Sequence, residues 1–478
     1  MAVTDGKGIT VYTIDYNKPV WVHFIGIGGI SMSGLAEILL DRGFRISGSD
    51  RGPSELTKIL EEKGVTVYYG QCADNIKDGV ELVVYTAAIR DDNEELTEVK
   101  RRGLPMLTRA ELLGQIMKNY EVSVAVAGTH GKTTTTSMVT DILMKAELDP
   151  TVSVGGMLKE IGGNIRIGAS GYFVTEACEY TNSFLSFNPT AGIILNIEED
   201  HLDFFKDIND IRSSFRKFAQ LLPENGVLII NADIDNYHEI TDGLKCRVIT
   251  VSGSGNAADY TASDIEYDDT GCASFTVVRA SSGNGKPASD GGSVIKLLVP
   301  GEHNIGNALA AIALAEDLGI EFDTIARAFL DFNGTDRRFQ LKGKLGDVTI
   351  IDDYAHHPTE IRATLKAAAN YPHESIICVF QPHTYTRTKA FFNEFVDALL
   401  LADMVVLAPI YAAREKDTLG MSSELICKEL RNKGCNAYSF STFEEIEEFL
   451  IENCMSGDLL ITMGAGDIVK DGEDLLKE

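Results

Sequence analysis

The stretch from residue 122 to 136, VSVAVAGTHGKTTTT, constrains this chain more than any other. It opens with a run of small and apolar residues ending at Ala127, the pattern of a parallel strand buried on both faces. Gly128, Thr129, His130, Gly131, Lys132 and Thr133 then turn into a Thr-rich helix expected to start near Gly131. Strand, glycine turn and helix start together make a phosphate cradle. Backbone N–H groups point into the turn, and the helix N-terminus adds partial positive charge. In such a cradle Lys132 reaches the β- and γ-phosphates of ATP and the Thr133 hydroxyl holds Mg²⁺, with Thr134 beside them. Val126 stands where the usual G-x-x-x-x-G-K-[ST] pattern has its first glycine, so the loop is the shorter G-x-x-G-K-T. A purely structural glycine turn is the alternative. Lys-Thr in register after a strand favours the nucleotide. Lys132 is expected at a solvent-accessible helix start.

A second glycine turn lies near the front. Trp21 to Gly28 reads as a strand running into Gly26, Gly28, Gly29, Ser31 and Gly34, followed by a helix through Leu40. A further strand, Phe44 to Ser49, ends at Asp50. This is a βαβ unit like the dinucleotide fingerprint, with Ser31 in place of the third glycine. The turn suits any diphosphate, and a turn without ligand stays open as an alternative.

At 478 residues, about two to four domains are expected. A net charge of −28 argues against nucleic acid or an anionic membrane as partner. The eight cysteines are scattered with no C-x-x-C pair, which fits reduced thiols in a cytoplasm. The N-terminal MAVTDGKGIT does not read as a secretory signal, and no apolar run of membrane-spanning length appears, so no membrane insertion is expected.

Strands alternate with helices throughout, giving an α/β chain of three doubly wound domains. The boundaries expected are 1–119 (Rossmann-like), 120–332 (P-loop ATPase-like, mainly parallel with a small β extension) and 333–478 (Rossmann-like). In the middle domain, strands end at Glu176 and just before Asp200 and His201, where α/β sheets carry their sites. Glu176 or His201 could complete the shell of a phosphate-bound Mg²⁺. Residues 253–300 are rich in Ser, Gly and Asp, and Ser281 to Gly292 reads as an exposed hairpin loop. His303 and Asn304 open a helix as capping groups or base-reading groups. In the last domain polar residues again load the strand ends: Arg338, Asp353, His356, His383 and Arg387.

Several separate motifs now combine: FIGIGGISMSGLA, AGTHGKTTTT, NIEEDHLD, EHNIGNALAAIA, RRFQ, DDYAHHPTE, QPHTYTRT and GAGDI. Together they resemble the Mur ligases of peptidoglycan synthesis over nearly the whole chain. The resemblance implies an ATP-dependent ligase joining L-alanine to the lactyl carboxylate of UDP-N-acetylmuramate through an acyl phosphate. It implies Gly128 to Thr134, His303, Asn304, Arg338 and Asp353 as the ATP site, and Thr133, Glu176 and His201 as the metal site. Gly26, Gly28, Gly29, Ser31, Gly34 and Asp50, with His383 and Arg387, would hold the UDP substrate. Lys132, His201, His356 and Arg387 would act in catalysis. A monomer or homodimer is expected. The alternatives are a same-fold ligase that adds a preformed peptide, and an NAD-dependent oxidoreductase built on the first turn. Cys178 departs from the family pattern, which leaves the roles of residues after Glu176 open, and Thr384 stands where arginine is common, which removes a possible charge on the substrate. Lys217 lies near a position that is carbamylated in some relatives, without being in register.

Overall fold

The computed structural model describes residues 2–4, 10–86, 89–158, 161–280, 293–413 and 415–477. The loop expected at Ser281 to Gly292 lies outside them. A short antiparallel pair, β1 (Ala2–Thr4) and β2 (Thr10–Tyr12), comes first.

The first sheet holds β3 (Trp21–Ile25), β4 (Arg45–Asp50), β5 (Thr66–Tyr69), β6 (Leu82–Tyr85) and β7 (Met106–Thr108). All pairs are parallel, in the order β5-β4-β3-β6-β7. The winding direction reverses between β3 and β6, so a crevice opens at their C-terminal ends. Gly26 starts the turn there with φ 84°, and a Cβ on it would sit 2.9 Å from the Thr86 methyl.

The second sheet is ten-stranded. It comprises β8 (Val122–Ala127), β9 (Thr151–Leu158), β10 (Gly163–Arg166), β11 (Tyr172–Ala177), β12 (Ala191–Ile194), β13 (Val227–Asn231), β14 (Arg247–Ser252), β15 (Tyr260–Tyr267), β16 (Cys272–Arg279) and β17 (Val294–Pro300). Their order is β10-β9-β11-β8-β12-β13-β14-β15-β16-β17. The middle is parallel; β10 at one edge and β16 and β17 at the other are antiparallel. Alternating side chains of β8 serve two cores. Val124 and Val126 pack with Met138 and Val139 of the helix Lys132–Lys145 and with Ala308 and Ala311 of the helix His303–Asp317. Ala125 and Ala127 face Phe173, Phe215 and Phe218. That two-sided burial is why the strand reads as an unbroken apolar run.

The third sheet contains β18 (Gln340–Leu345), β19 (Val348–Asp353), β20 (Ile376–Phe380), β21 (Met404–Leu407), β22 (Asn436–Ser439) and β23 (Leu459–Met463). Its order is β18-β19-β23-β20-β21-β22, parallel except for β18 against β19.

The two seams between the units differ in kind. Gly34, inside the helix Ile30–Asp41, faces Ile165 of β10 so closely that a Cβ would overlap it. Gly114 meets the Ser186 carbonyl in the same way, and Tyr120 packs on Phe173 with ring centroids 5.0 Å apart. One apolar core therefore runs from Phe24 and Leu39 through to Phe184 and Phe215. The seam to the third unit is polar and forms part of the site. No helix among the described residues is long and apolar enough to cross a membrane.

One buried group in the third unit carries a stability cost. Asp471, in the helix Val469–Leu475, is 1% exposed, and neither carboxyl oxygen has a hydrogen-bond partner among the described residues. Burial, helped by Glu447, Asp474 and Glu444, pushes its pKa up to about 8. The folded form thus holds a proton that the unfolded chain releases near its ordinary value of 3.8. Stability falls as pH rises between these values, and the loss is complete above the upper one. Asp471→Asn should raise Tm by several degrees at about pH 9 and scarcely change it at about pH 4. Equal shifts at both pH values in a thermal melt would remove the ionisation from the account.

Candidate functional site

Asn196 sets the geometry of the phosphate loop. Its side chain accepts from the His130 N–H at 2.7 Å and donates to the His130 carbonyl at 3.1 Å. The Thr129 hydroxyl accepts from the Glu198 N–H at 2.9 Å. Gly128 (φ 150°) and Gly131 (φ 81°) make the turn, and a Cβ on Gly131 would lie 2.7 Å from the Asn307 side-chain oxygen. The helix starts at Lys132, as the sequence predicts.

Lys132 is not solvent-accessible as expected. Its side chain is 17% exposed, and Nζ donates to the Gly128 carbonyl (2.5 Å), the Thr129 carbonyl (3.0 Å) and Glu179 Oε2 (3.1 Å). Burial alone would lower its pKa; Glu179 reverses this and raises it. Glu179 itself is 2% exposed, and its Oε1 has no hydrogen-bond partner among the described residues. The sequence reading left Glu179 without a role. Glu176 ends on β11 rather than after it, its Oε1 accepting from the Gly155 N–H at 2.8 Å.

The residues after β12 receive the third unit. Thr359 donates to Glu198 Oε2 at 2.6 Å, and His357 Nε2 lies 3.0 Å from the Glu199 carbonyl. Arg387 donates to Asp200 Oδ1 through Nη2 (2.8 Å) and Nε (3.2 Å). His130 Nδ1 lies 3.1 Å from Glu360 Oε1, and its Nε2 is 3.6 Å from Glu198 Oε2. Burial pushes the His130 imidazole down, but Glu360 and Glu198 outweigh it and its pKa rises to about 9. So this loop residue is a cation facing the third unit, and only its backbone belongs to the cradle. Glu360 is held well below the carboxylate range: burial opposes this, but His356, His130 and Arg338 prevail.

The other imidazoles go the opposite way. Burial, then Arg387, lowers His383 to about 4; burial lowers His356 to about 4 against the pull of Glu360. Burial also lowers His201, against Asp200. Arg387 is already committed to Asp200 and, through Nη1, to His383 Nδ1 at 3.1 Å, so a substrate carboxylate would compete with Asp200 for it. Thr384 adopts a left-handed backbone (φ 63°). Its hydroxyl caps the helix Tyr385–Ala390 that carries Arg387.

Between the central and third units lies a cavity of about 570 Å³, lined by Gly131, Asn231, His303, Asn304, Arg338 and Asp353 among others. Thr134 lines it too, but Lys132 does not. His303 is exposed at the helix start, whereas Asn304 is buried and donates to the Pro300 carbonyl at 2.8 Å. Asp353 accepts from the Phe339 and Ala355 N–H groups, both at 2.8 Å. Burial, against Arg338, pushes it up to about 6.

The first turn departs from the dinucleotide pattern. Asp50 Oδ2 accepts from the Gly28 N–H at 2.8 Å and Oδ1 from the Arg51 N–H at 2.7 Å. Its oxygens brace the turn instead of awaiting a ribose, which removes the main support for an oxidoreductase. Gly34 packs on Ile165 and cannot also cradle a diphosphate. Gly29 and Ser31 remain at the helix start. Arg109, which the sequence reading missed, donates to the Ser31 hydroxyl at 3.1 Å, its single hydrogen-bond partner among the described residues. Burial lowers its pKa, and it lies near Cys178 of the central unit, a thiol that burial keeps neutral. Arg109 follows β7 directly and faces the crevice where the winding reverses. Its local sequence shows only a helix cap, so nothing in it signals binding.

Donor chemistry around Lys132 suits a hard cation: the Thr133 hydroxyl and the carboxylates of Glu176 and Glu179, one of them with an unpartnered oxygen. His201 fits less well. It adopts φ 52°, stacks on Tyr180 at 4.5 Å and sets Nε2 3.6 Å from Asp200. Among the described residues, only His130, Glu198 and His357 bring three such donors within 4.8 Å of one another. That trio does not suit a metal. His357 Nδ1 accepts from the Thr359 N–H, so its Nε2 carries the proton given to Glu199, and His130 is protonated. Lys217 is exposed on the helix Ile208–Ala219, away from this chemistry.

Three family comparisons cover the chain in sequence. Residues 21–121 match "Mur ligase family, catalytic domain", 126–315 "Mur ligase middle domain" and 337–466 "Mur ligase, glutamate ligase domain". The UDP-N-acetylmuramate–L-alanine ligase of Agathobacter rectalis is 61% identical over 98% of this chain and all of its own length. That of Lachnospira eligens is 57% identical with the same coverage. Among solved structures, the UDP-N-acetylmuramate-alanine ligase of Thermotoga maritima superposes with TM-score 0.77 at 31% identity, over 96% of this chain and 98% of its own. A murein peptide ligase from Psychrobacter arcticus, at 24% identity and TM-score 0.68, shares the fold over 96% of this chain and 98% of its own. With the phosphate loop, the acidic strip after β12 and the first glycine turn all in place, the chain belongs to the Mur ligase family.

Proposed function

We propose that this protein joins L-alanine to the lactyl carboxylate of UDP-N-acetylmuramate in the cytoplasm, converting ATP to ADP and phosphate. The observation that carries this reading is the line of cations through the molecule. Arg109 stands at the first turn, Lys132 at the loop, and Arg387 and Arg338 on the third unit. A UDP-sugar in the crevice would extend its carboxylate past Arg109 toward Lys132. ATP in the cavity would bring its γ-phosphate to the loop from the other side. The high identity to L-alanine ligases favours alanine over a preformed peptide.

The chemistry follows from this placement. A carboxylate is a poor acylating agent because its leaving group would be oxide. Transfer of the γ-phosphoryl group gives an acyl phosphate, and the amine then expels inorganic phosphate through a tetrahedral intermediate. Phosphoryl transfer asks the protein mainly for position and charge, which the Lys132 ammonium and the loop N–H groups supply. Mg²⁺ held by Thr133 and Glu176 would neutralise phosphate charge. Arg387, released from Asp200, would take the alanine carboxylate, and the neutral imidazoles of His356 and His383 add no competing positive charge beside the amine.

Phosphate release measured with UDP-N-acetylmuramate across a panel of amino acids should require both partners and be fastest with L-alanine. Equal turnover with a UDP-sugar lacking the lactyl carboxylate would sink the proposal. Lys132→Ala should lower turnover by about two to three orders of magnitude. It should also lower Tm, since it strands Glu179 as a buried charge. Adding Glu179→Gln should restore the melting temperature but not the rate; recovery of the rate would remove Lys132 from the transition state.

A further inference from the structure

Glu179 is held in place by the turn that follows it. Its backbone carbonyl accepts from the Asn182 N–H at 2.8 Å, closing a turn in which Thr181 and Asn182 both adopt left-handed backbone (φ 55° and 57°). Two consecutive left-handed residues without glycine persist only where the surroundings impose them. Here Phe184, fully buried and stacked on Phe218 at 4.9 Å, anchors one end of the turn. Ser214 holds the Asn182 side chain. The result is a carboxylate 2% exposed, beside the loop that would receive the phosphates, with one oxygen on Lys132 and the other without a partner among the described residues.

We propose that Glu179 makes nucleotide binding selective for the metal complex of ATP over free ATP. The inference rests on the phosphate-loop reading given above. A phosphate reaching Lys132 displaces Glu179 as its partner and is left beside a buried carboxylate that has lost its cation. Free ATP offers nothing to compensate that repulsion. Metal-bound ATP arrives with a hard cation able to face the freed carboxylate. Glu179 thus blocks Lys132 against any polyphosphate lacking a metal, and no bond is made or broken in the exchange.

Isothermal titration of ATP, once in excess EDTA and once in saturating Mg²⁺, reads this directly without turnover. Glu179→Gln should bind metal-free ATP about tenfold more tightly than the unmodified protein, and Mg²⁺–ATP no more tightly, so the preference for the metal complex shrinks. Lys132→Ala tests the same charge from the other side. With Glu179 left unneutralised, the preference should widen, and the double variant with Glu179→Gln should narrow it again. A Glu179→Gln variant that weakens both forms equally, or changes neither, overturns the proposal in favour of a structural prop. If that variant does not fold, a Lys132→Ala variant that binds both forms more weakly but with an unaltered preference overturns it alone. Should Lys132→Ala bind both forms as the unmodified protein does, the phosphate-loop reading itself is wrong, which is a distinct result.

Discussion

The structure turns on how β12 continues past its last sheet residue. A phosphate loop leaves the end of a buried strand without a sheet ladder of its own, so something else must hold its shape. Asn196 does this by pairing with both the N–H and the carbonyl of His130, as a neighbouring strand would. The same short segment goes on to present Glu198, the Glu199 carbonyl and Asp200 to the third unit. One segment therefore shapes the nucleotide cradle and docks the domain expected to bring the amine. A shift in it would move both reactants.

Much of this was legible in the sequence because it rests on local rules. The β8 run, the Gly128 and Gly131 turn and the helix from Lys132 follow from periodicity and backbone freedom. Strand ends carrying Glu176, Asp353 and Asp200 follow from the α/β architecture. What escaped depends on contacts distant in sequence. Glu360 sits three residues after His357 and closes a capping box with it; its pairing with His130 spans 230 positions. Arg109 carries no local signature, because its role comes from the fold bringing it to Ser31, 78 positions away in sequence. Cys178 and Glu179 stood in a motif whose family pattern the chain breaks, so resemblance gave no guidance there.

The glycines make the same point. Gly26, Gly28 and Gly34 look alike in a pattern, yet Gly26 needs a left-handed backbone, Gly28 an N–H for Asp50, and Gly34 room for Ile165. A spacing rule cannot tell conformational need from close packing, and that distinction decides which of them can face a ligand.

The unlike seams divide the molecule mechanically. The first and second units share a continuous hydrophobic interior, so parting them would expose apolar surface at high cost. The third is held by a handful of charged and hydrogen-bonded contacts that water can replace one for one. A seam of that kind makes parting the third unit from the other two the cheaper of the two separations. An enzyme so built can alter which amine it accepts by remodelling the third unit's loops, leaving the machinery that activates the acid untouched. A family of ligases that diversifies its acceptor needs that freedom, and here it is written into the chemistry of one seam.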